Sequence, residues 1–170
     1  DFDTELAKHS VMELSRMLRH VLYDSSGSHT TLDKEVEFLH NYIELMRIRY
    51  IDDVRITINT PDLLTCRKVK MPPLLLIVLV ENAFKHGVSY QQNSFIDVKI
   101  EVRGQRSEER GMWLHFLCRN SKAEKPNEAK GGVGLQNVKK RLKLLYDQQY
   151  TLKIQDDEVY QVELEIPLDN

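Results

Sequence analysis

Between Glu81 and His86 the chain carries a carboxylate, a carboxamide, an ammonium and an imidazole: Glu81, Asn82, Lys85 and His86. On a helix, residues four apart share a face, so Glu81 lies over Lys85 and Asn82 over His86. Such a set suits charge partners, hydrogen-bonded ligands or a metal ion, and buried polar groups of these types are costly without one of them. Taken alone, it reads equally well as an intrahelical Glu/Lys ion pair with a histidine on the helix C-terminus. A second set, Gly131-Gly132-Val133-Gly134, lies directly before a helical pattern that starts at Leu135. Free N–H groups at a helix start attract anions, and glycines let a phosphate come close to the backbone. Alone, this is a flexible loop and a helix start. It is neither a Walker A loop nor a Rossmann fingerprint, because no Gly-Lys-Ser/Thr follows and no suitable strand ends directly before it. The third candidate is Asn120. Strand parity puts it in phase with Leu114, Phe116 and Cys118, and its carboxamide oxygen can accept a hydrogen bond from an amino group such as adenine N6. By itself, a strand-end Asn is also a common turn residue.

The elements that must hold these residues are readable from periodicity. Pro72-Pro73 followed by Leu74 to Val80 is apolar on every side and predicts a buried helix, with the prolines at its start and Gly87 as its C-terminal cap. Upstream, Leu6, Val11, Leu14, Met17, Leu18, Val21 and Leu22 form one helical stripe, broken by Ser25 to Thr30. A second helix is expected over 32–50, with Val36, Leu39, Ile43, Met46 and Tyr50 on one face and Thr31 as N-cap. Alternation marks strands at Val54-Ile56-Ile58, at Ile96 to Val102 paired with Leu114 to Cys118 as a hairpin, and in a closing hairpin around Asp156-Asp157-Glu158. Residues 121–130 have no large apolar side chain and read as a mobile loop. A helix follows from about Gly134 to Tyr146. The expected fold is α+β, a two-layer sandwich with a mixed sheet of about five strands and helices on one face.

The totals limit the function classes. A chain of 170 residues with 41% hydrophobic residues is long enough for one main domain, and a net charge of −2 argues against a general nucleic-acid binder. The basic run Lys139, Lys140, Arg141 and Lys143 reads as a solvated helix face. Cys66 and Cys118 are too few and too far apart for a disulfide framework or a thiolate metal site, which fits a reducing cytosolic setting. The apolar run from Met71 to Val80 is far short of the roughly 20 residues that span a bilayer.

Together, Val80-Glu81-Asn82-Ala83-Phe84-Lys85-His86-Gly87, the box Gly132-x-Gly134-Leu135-x-Asn137-Val138, and the stretches Ser15 to Tyr23 and Leu32 to Arg49 resemble the Bergerat-type ATP-binding domain of the gyrase, heat-shock chaperone, histidine kinase and mismatch-repair superfamily. More narrowly they are similar to LytS-like sensor histidine kinases, over nearly the whole chain. The resemblance implies ATP and Mg2+ as cofactors. Asn82 would ligate the metal, Lys85 and His86 would lie near phosphate oxygens, and Glu81 would be the polarising base. Gly132, Gly134 and the N–H of Leu135 would cradle the phosphates, Asn120 would meet adenine, and residues 121–130 would form the lid.

It also implies two regions: residues 1–30 as the remnant of a dimerisation and phosphotransfer helix with its linker, and residues 31–170 as the ATP-binding domain. A response regulator would be the partner, with a homodimer in the full-length protein and no nucleic-acid or direct membrane contact from this part. The setting would be the cytoplasmic side of a membrane-bound sensor. The phosphoacceptor would lie upstream, because His9 and His20 lack the family's His-Phe-Leu-Phe-Asn context and read as ordinary helix residues. Asn120 replaces the superfamily's usual Asp, which implies adenine binding weaker by about 1 kcal/mol and relaxed base selectivity.

Overall fold

The computed structural model describes residues 28–50, 54–88, 93–104, 111–122 and 133–169. Five strands form one mixed sheet in the order β2-β4-β5-β7-β6, where β2 is Val54–Asn59, β4 Ser94–Arg103, β5 Met112–Asn120, β6 Thr151–Asp156 and β7 Tyr160–Leu168. Only the β2–β4 pair is parallel; both expected hairpins, β4–β5 and β6–β7, are antiparallel. Alternation decides which face is covered: Ile96, Val98, Ile100, Leu114, Phe116, Cys118, Val162, Leu164 and Ile166 all point inward and are buried.

Three longer helices cover that face. They are α1 (Leu32–Arg49), α3 (Leu76–Gly87) and α4 (Val133–Tyr146). The buried stripe of α1, Leu32, Val36, Leu39 and Ile43, follows helical spacing and joins Leu76, Leu79, Val80, Ala83 and Phe84 of α3 in one core. Tyr42 meets Phe84 edge-on at 5.6 Å between ring centroids, and Tyr50 stacks on it at 6.1 Å. On α4, Leu135, Val138 and Leu142 are buried, while the basic residues Lys139, Lys140 and Lys143 are exposed as expected.

Several local expectations need correction. Thr31 does not cap α1 with its side chain; Thr30–Thr31 (β1) instead pairs antiparallel with Lys70–Met71 (β3). The short helix α2 (Leu63–Arg67) interrupts the segment after β2, and Asp62 caps it by accepting from Thr65 N at 2.9 Å. The prolines do not start α3. They belong to a turn ahead of it, in which Leu74 takes a left-handed φ of 57° and donates its N–H to Glu35 Oε1 at 2.7 Å. Glu35 is wholly buried on α1, so its carboxylate ties the entry of α3 to the first helix.

Gly87 is not a left-handed cap. It stays inside α3, the C-cap is the extended Val88, and the positive-φ glycines among the described residues are Gly104 and Gly111. The proposed helical remnant in residues 1–27 lies outside the described residues, as do most of the expected lid and its neighbours, residues 123–132.

Candidate functional site

The helix α3 places the four polar residues near its C-terminal end. Glu81, Lys85 and His86 are exposed and Asn82 is half-buried, so the helix is apolar on its core side rather than all round. The expectation of a helix buried on every side, whose polar groups need partners to offset burial, is corrected here: three of the four groups reach solvent. Glu81 faces α1: together with burial, its charge helps push the Tyr42 hydroxyl up to about 12. Asn82 faces α4. A methyl group built on Gly134 would sit 3.2 Å from Val78 Cγ1 and 4.0 Å from Asn82 Oδ1.

The glycine box and the carboxamide thus meet across a seam with little spare room, and the buried Leu135 anchors the start of α4 beneath it. A helix of this length leaves its first N–H groups without intrahelical partners, a natural anion cradle. Gly132 lies outside the described residues.

Asn120, the last residue of β5 and almost fully buried, stands at the C-terminal end of α3. Asn82 and Gly87 are five positions apart, a rise of roughly 7.5 Å along α3. At Gly87 an added methyl would come within 2.5 Å of Asn120 Nδ2 and 2.7 Å of its Cβ, so glycine is required there for close approach. Asn120 Nδ2 donates to Ser121 O at 2.7 Å, while the buried Oδ1 has no partner among the described residues. An orphaned acceptor in this position fits a donor brought by a ligand, which is the chemistry of an exocyclic amino group.

Strand register adds a residue that sequence reasoning missed. Tyr160 of β7 is the direct partner of Asn120, on the same face and half-buried, with its hydroxyl pushed up mainly by burial. Pairing the two closing strands with Leu114 to Asn120 would have revealed it. The acidic turn Asp156-Asp157-Glu158 also gains a partner: Lys122 Nζ donates to Asp157 O at 2.6 Å and pairs with Asp156, tying the exit of β5 to the β6–β7 turn.

A second polar cluster lies on the opposite face of the sheet. His115 Nε2 is 2.8 Å from Glu163 Oε1 and 3.9 Å from Glu165 Oε1, a metal-like grouping. Arg103, which can only donate, reaches His115 Nδ1 at 3.1 Å, so Nε2 carries the proton and donates to Glu163. The guanidinium already supplies the cation there, and Lys99 and Arg103 hold the neighbouring Glu101 carboxyl down at about 2.

The sequence model of the family described as histidine kinase matches residues 1–54. A sensor protein LytS of Oceanobacillus iheyensis is 32% identical over 167 residues, covering 91% of this chain and 28% of that protein. LytS of Staphylococcus saprophyticus is 28% identical over 176 residues, covering 99% and 29%. The chain therefore spans less than a third of the length of these curated relatives.

Among solved structures, the catalytic domain of the histidine kinase ThkA aligns with a TM-score of 0.53 at 14% identity, covering 82% of this chain and 93% of that one. The histidine kinase domain of the blue-light activated kinase EL346 from Erythrobacter litoralis aligns at 0.58 and 14% identity, covering 95% and 74%. The fold is the α+β sandwich of histidine kinase catalytic domains. By sequence the chain is similar, over nearly its whole length, to LytS sensor histidine kinases.

Proposed function

We propose that this chain is the catalytic, ATP-binding part of a two-component sensor histidine kinase, which transfers the γ-phosphoryl group of ATP to a histidine upstream of these residues. The observation that carries the reading is the seam itself: Gly134 at the start of α4 packs against Val78 and Asn82 of α3, so the backbone N–H groups and a carboxamide converge on one place. The phosphates would lie on the N–H groups of Gly134 and Leu135 with Gly132 beside them, Lys85 and His86 would compensate their charge, and adenine would lie against Asn120. Mg2+, when bound, would neutralise the polyphosphate, and Asn82 is the residue whose oxygen would hold it, in keeping with the small number of protein ligands this ion takes.

In the transfer, the bond from the γ-phosphorus to the bridging oxygen breaks as a bond to an imidazole nitrogen forms. ADP leaves with the electron pair, and the imidazole proton passes to a base, for which the exposed Glu81 carboxylate is the candidate. Positioning and charge neutralisation supply most of the rate. The acceptor then passes the phosphoryl group to a response regulator, in a protein that dimerises through its helical region, residues 1–30 and what precedes them. The ATP-binding domain proper spans residues 31–170, on the cytoplasmic side of a membrane-bound sensor.

One observation favours a second reading. Asn120 stands where the superfamily usually has Asp, which suits a degenerate nucleotide-binding module that only transmits conformation. The full-length protein separates the two: with Mg-ATP the kinase forms acid-labile phosphohistidine, and a folded, nucleotide-bound dimer that stays unlabelled refutes the kinase reading.

A further inference from the structure

The start of α3 departs from what its own residues favour. Pro72-Pro73 and the apolar run behind them suit a helix that begins at the prolines, yet α3 begins at Leu76. Leu75 already has helical angles, φ −83° and ψ −44°, but Leu74 before it is left-handed at φ 57° and stops the helix from reaching farther back. A leucine seldom keeps that conformation without support, because its Cβ crowds the following carbonyl. The support comes from α1. Glu35, wholly buried in the first turn of that helix, accepts the Leu74 N–H on Oε1 at 2.7 Å. Just upstream the chain is tied down separately: Leu32 N–H donates to Val69 O at 3.0 Å, Thr30 and Thr31 pair with Met71 and Lys70, and Lys70 exchanges hydrogen bonds with Asp169 at 2.7 and 3.1 Å. Glu35 therefore holds the last link between that anchored segment and α3.

We infer that Glu35 is a positioning residue for the nucleotide site: by holding Leu74 left-handed it fixes where α3 starts, and with it where Asn82 stands against the head of α4. The helix has little room to move without consequence. Val78, four residues beyond Leu74, is the side chain that a methyl on Gly134 would meet at 3.2 Å, and at the other end Gly87 lies too close to Asn120 for any Cβ. With Leu74 turned to right-handed angles, α3 would grow back toward Pro73 and its first turns would shift against that tight contact. Glu35 thus acts on the site through Leu74 and touches no ligand.

The role rests on the nucleotide reading above, and the test keeps the two apart. The 170-residue chain is titrated calorimetrically with Mg2+ and adenylyl imidodiphosphate, well below its melting temperature, as the parent, Glu35→Met, Glu35→Gln and the double variant Glu35→Met/Leu74→Gly. Methionine fills the buried site and removes the acceptor, so the fold survives while affinity falls about fivefold or more, the low end of couplings between linked sites. Glutamine keeps an acceptor oxygen and stays close to the parent. Glycine takes left-handed angles without steric cost, so the double variant regains most of the lost affinity. A merely structural Glu35 would change the melting temperature and leave affinity alone. Glu35→Met with the parent's affinity overturns the inference, as does a double variant that binds no better than Glu35→Met, and nucleotide binding itself stands in both cases. Hydrogen exchange in the parent gives the answer should Glu35→Met fail to fold: by reciprocity, bound nucleotide slows exchange of the Leu74 N–H but not of the Thr65 N–H, which Asp62 holds on α2. No slowing at Leu74, or equal slowing at both, overturns the inference as well. A parent that binds no nucleotide removes the nucleotide reading and the role of Glu35 with it.

Discussion

Replacing Gly87 by alanine tests whether the end of α3 is built around Asn120. The new methyl would lie 2.5 Å from Asn120 Nδ2, 2.7 Å from its Cβ and 2.9 Å from its Cγ, all closer than such contacts tolerate. Because Cβ is fixed to the strand, a rotamer change cannot relieve the contact, and either the strand end or the helix end must move. Overpacking of this kind costs about 1–3 kcal/mol. Losing the Asn120 to Ser121 hydrogen bond adds about 1 kcal/mol, and the better helix propensity of alanine returns about 1 kcal/mol.

The net loss is about 2 kcal/mol, which in a chain of this length lowers Tm by roughly 4–8 °C. The same change in an Asn120→Gly background removes the clashing Cβ, so the cost of Gly87→Ala shrinks there, and a thermal-melting double-mutant cycle reads the coupling directly. A Gly87→Ala variant that melts at or above the parent temperature, or an equal loss in both backgrounds, refutes the reasoning.

Gly134→Ala introduces a methyl 3.2 Å from Val78 Cγ1, which must give way by a few tenths of an ångström; stability changes by less than about 1 kcal/mol because helix propensity compensates, while Mg-ATP affinity by calorimetry falls several-fold as the α4 start is pushed off Asn82. Glu35→Ala leaves the Leu74 N–H without its buried acceptor and costs about 2–4 kcal/mol with the cavity included, whereas Glu35→Gln keeps an acceptor oxygen and loses less; denaturant melts rank the two, and the opposite order contradicts the assignment. Alkaline pH destabilises the protein: burial raises the Cys66 thiol to about 11, the Cys118 thiol to about 12 and the Tyr42 hydroxyl to about 12, so the unfolded chain releases these protons first and stability declines from about pH 9 upward. Denaturant midpoints that stay level between pH 8.5 and 11 would contradict that burial.

Much of the sheet is legible in the sequence because its inward positions alternate strictly: Ile96-Val98-Ile100 and Leu114-Phe116-Cys118 admit one register on a one-sided sheet. The same parity argument put Asn120 on the inner face, where it lies. Two-residue strands such as Thr30–Thr31 and Lys70–Met71 carry no periodicity to detect, and α2 is too short to show one. The start of α3 is not fixed by its own sequence, because proline fits both a first helical turn and the turn before a helix; the buried Glu35 accepting from Leu74 N decides between them, a contact from a distant part of the chain. Gly87 illustrates a similar limit. Its position after Lys85-His86 suggests a left-handed cap, but its small size is required by a side chain from β5.

The most direct test of the central claim is thermal denaturation of the 170-residue chain with Mg2+ and a nonhydrolysable ATP analogue, comparing the parent with Asn82→Ala. At ligand a hundredfold above Kd, binding adds about 2.7 kcal/mol to the parent, seen as a rise in Tm of several degrees that needs the metal and is lost in Asn82→Ala. No metal-dependent rise in the parent, or the same rise in both proteins, would contradict a nucleotide site at the seam between α3 and α4.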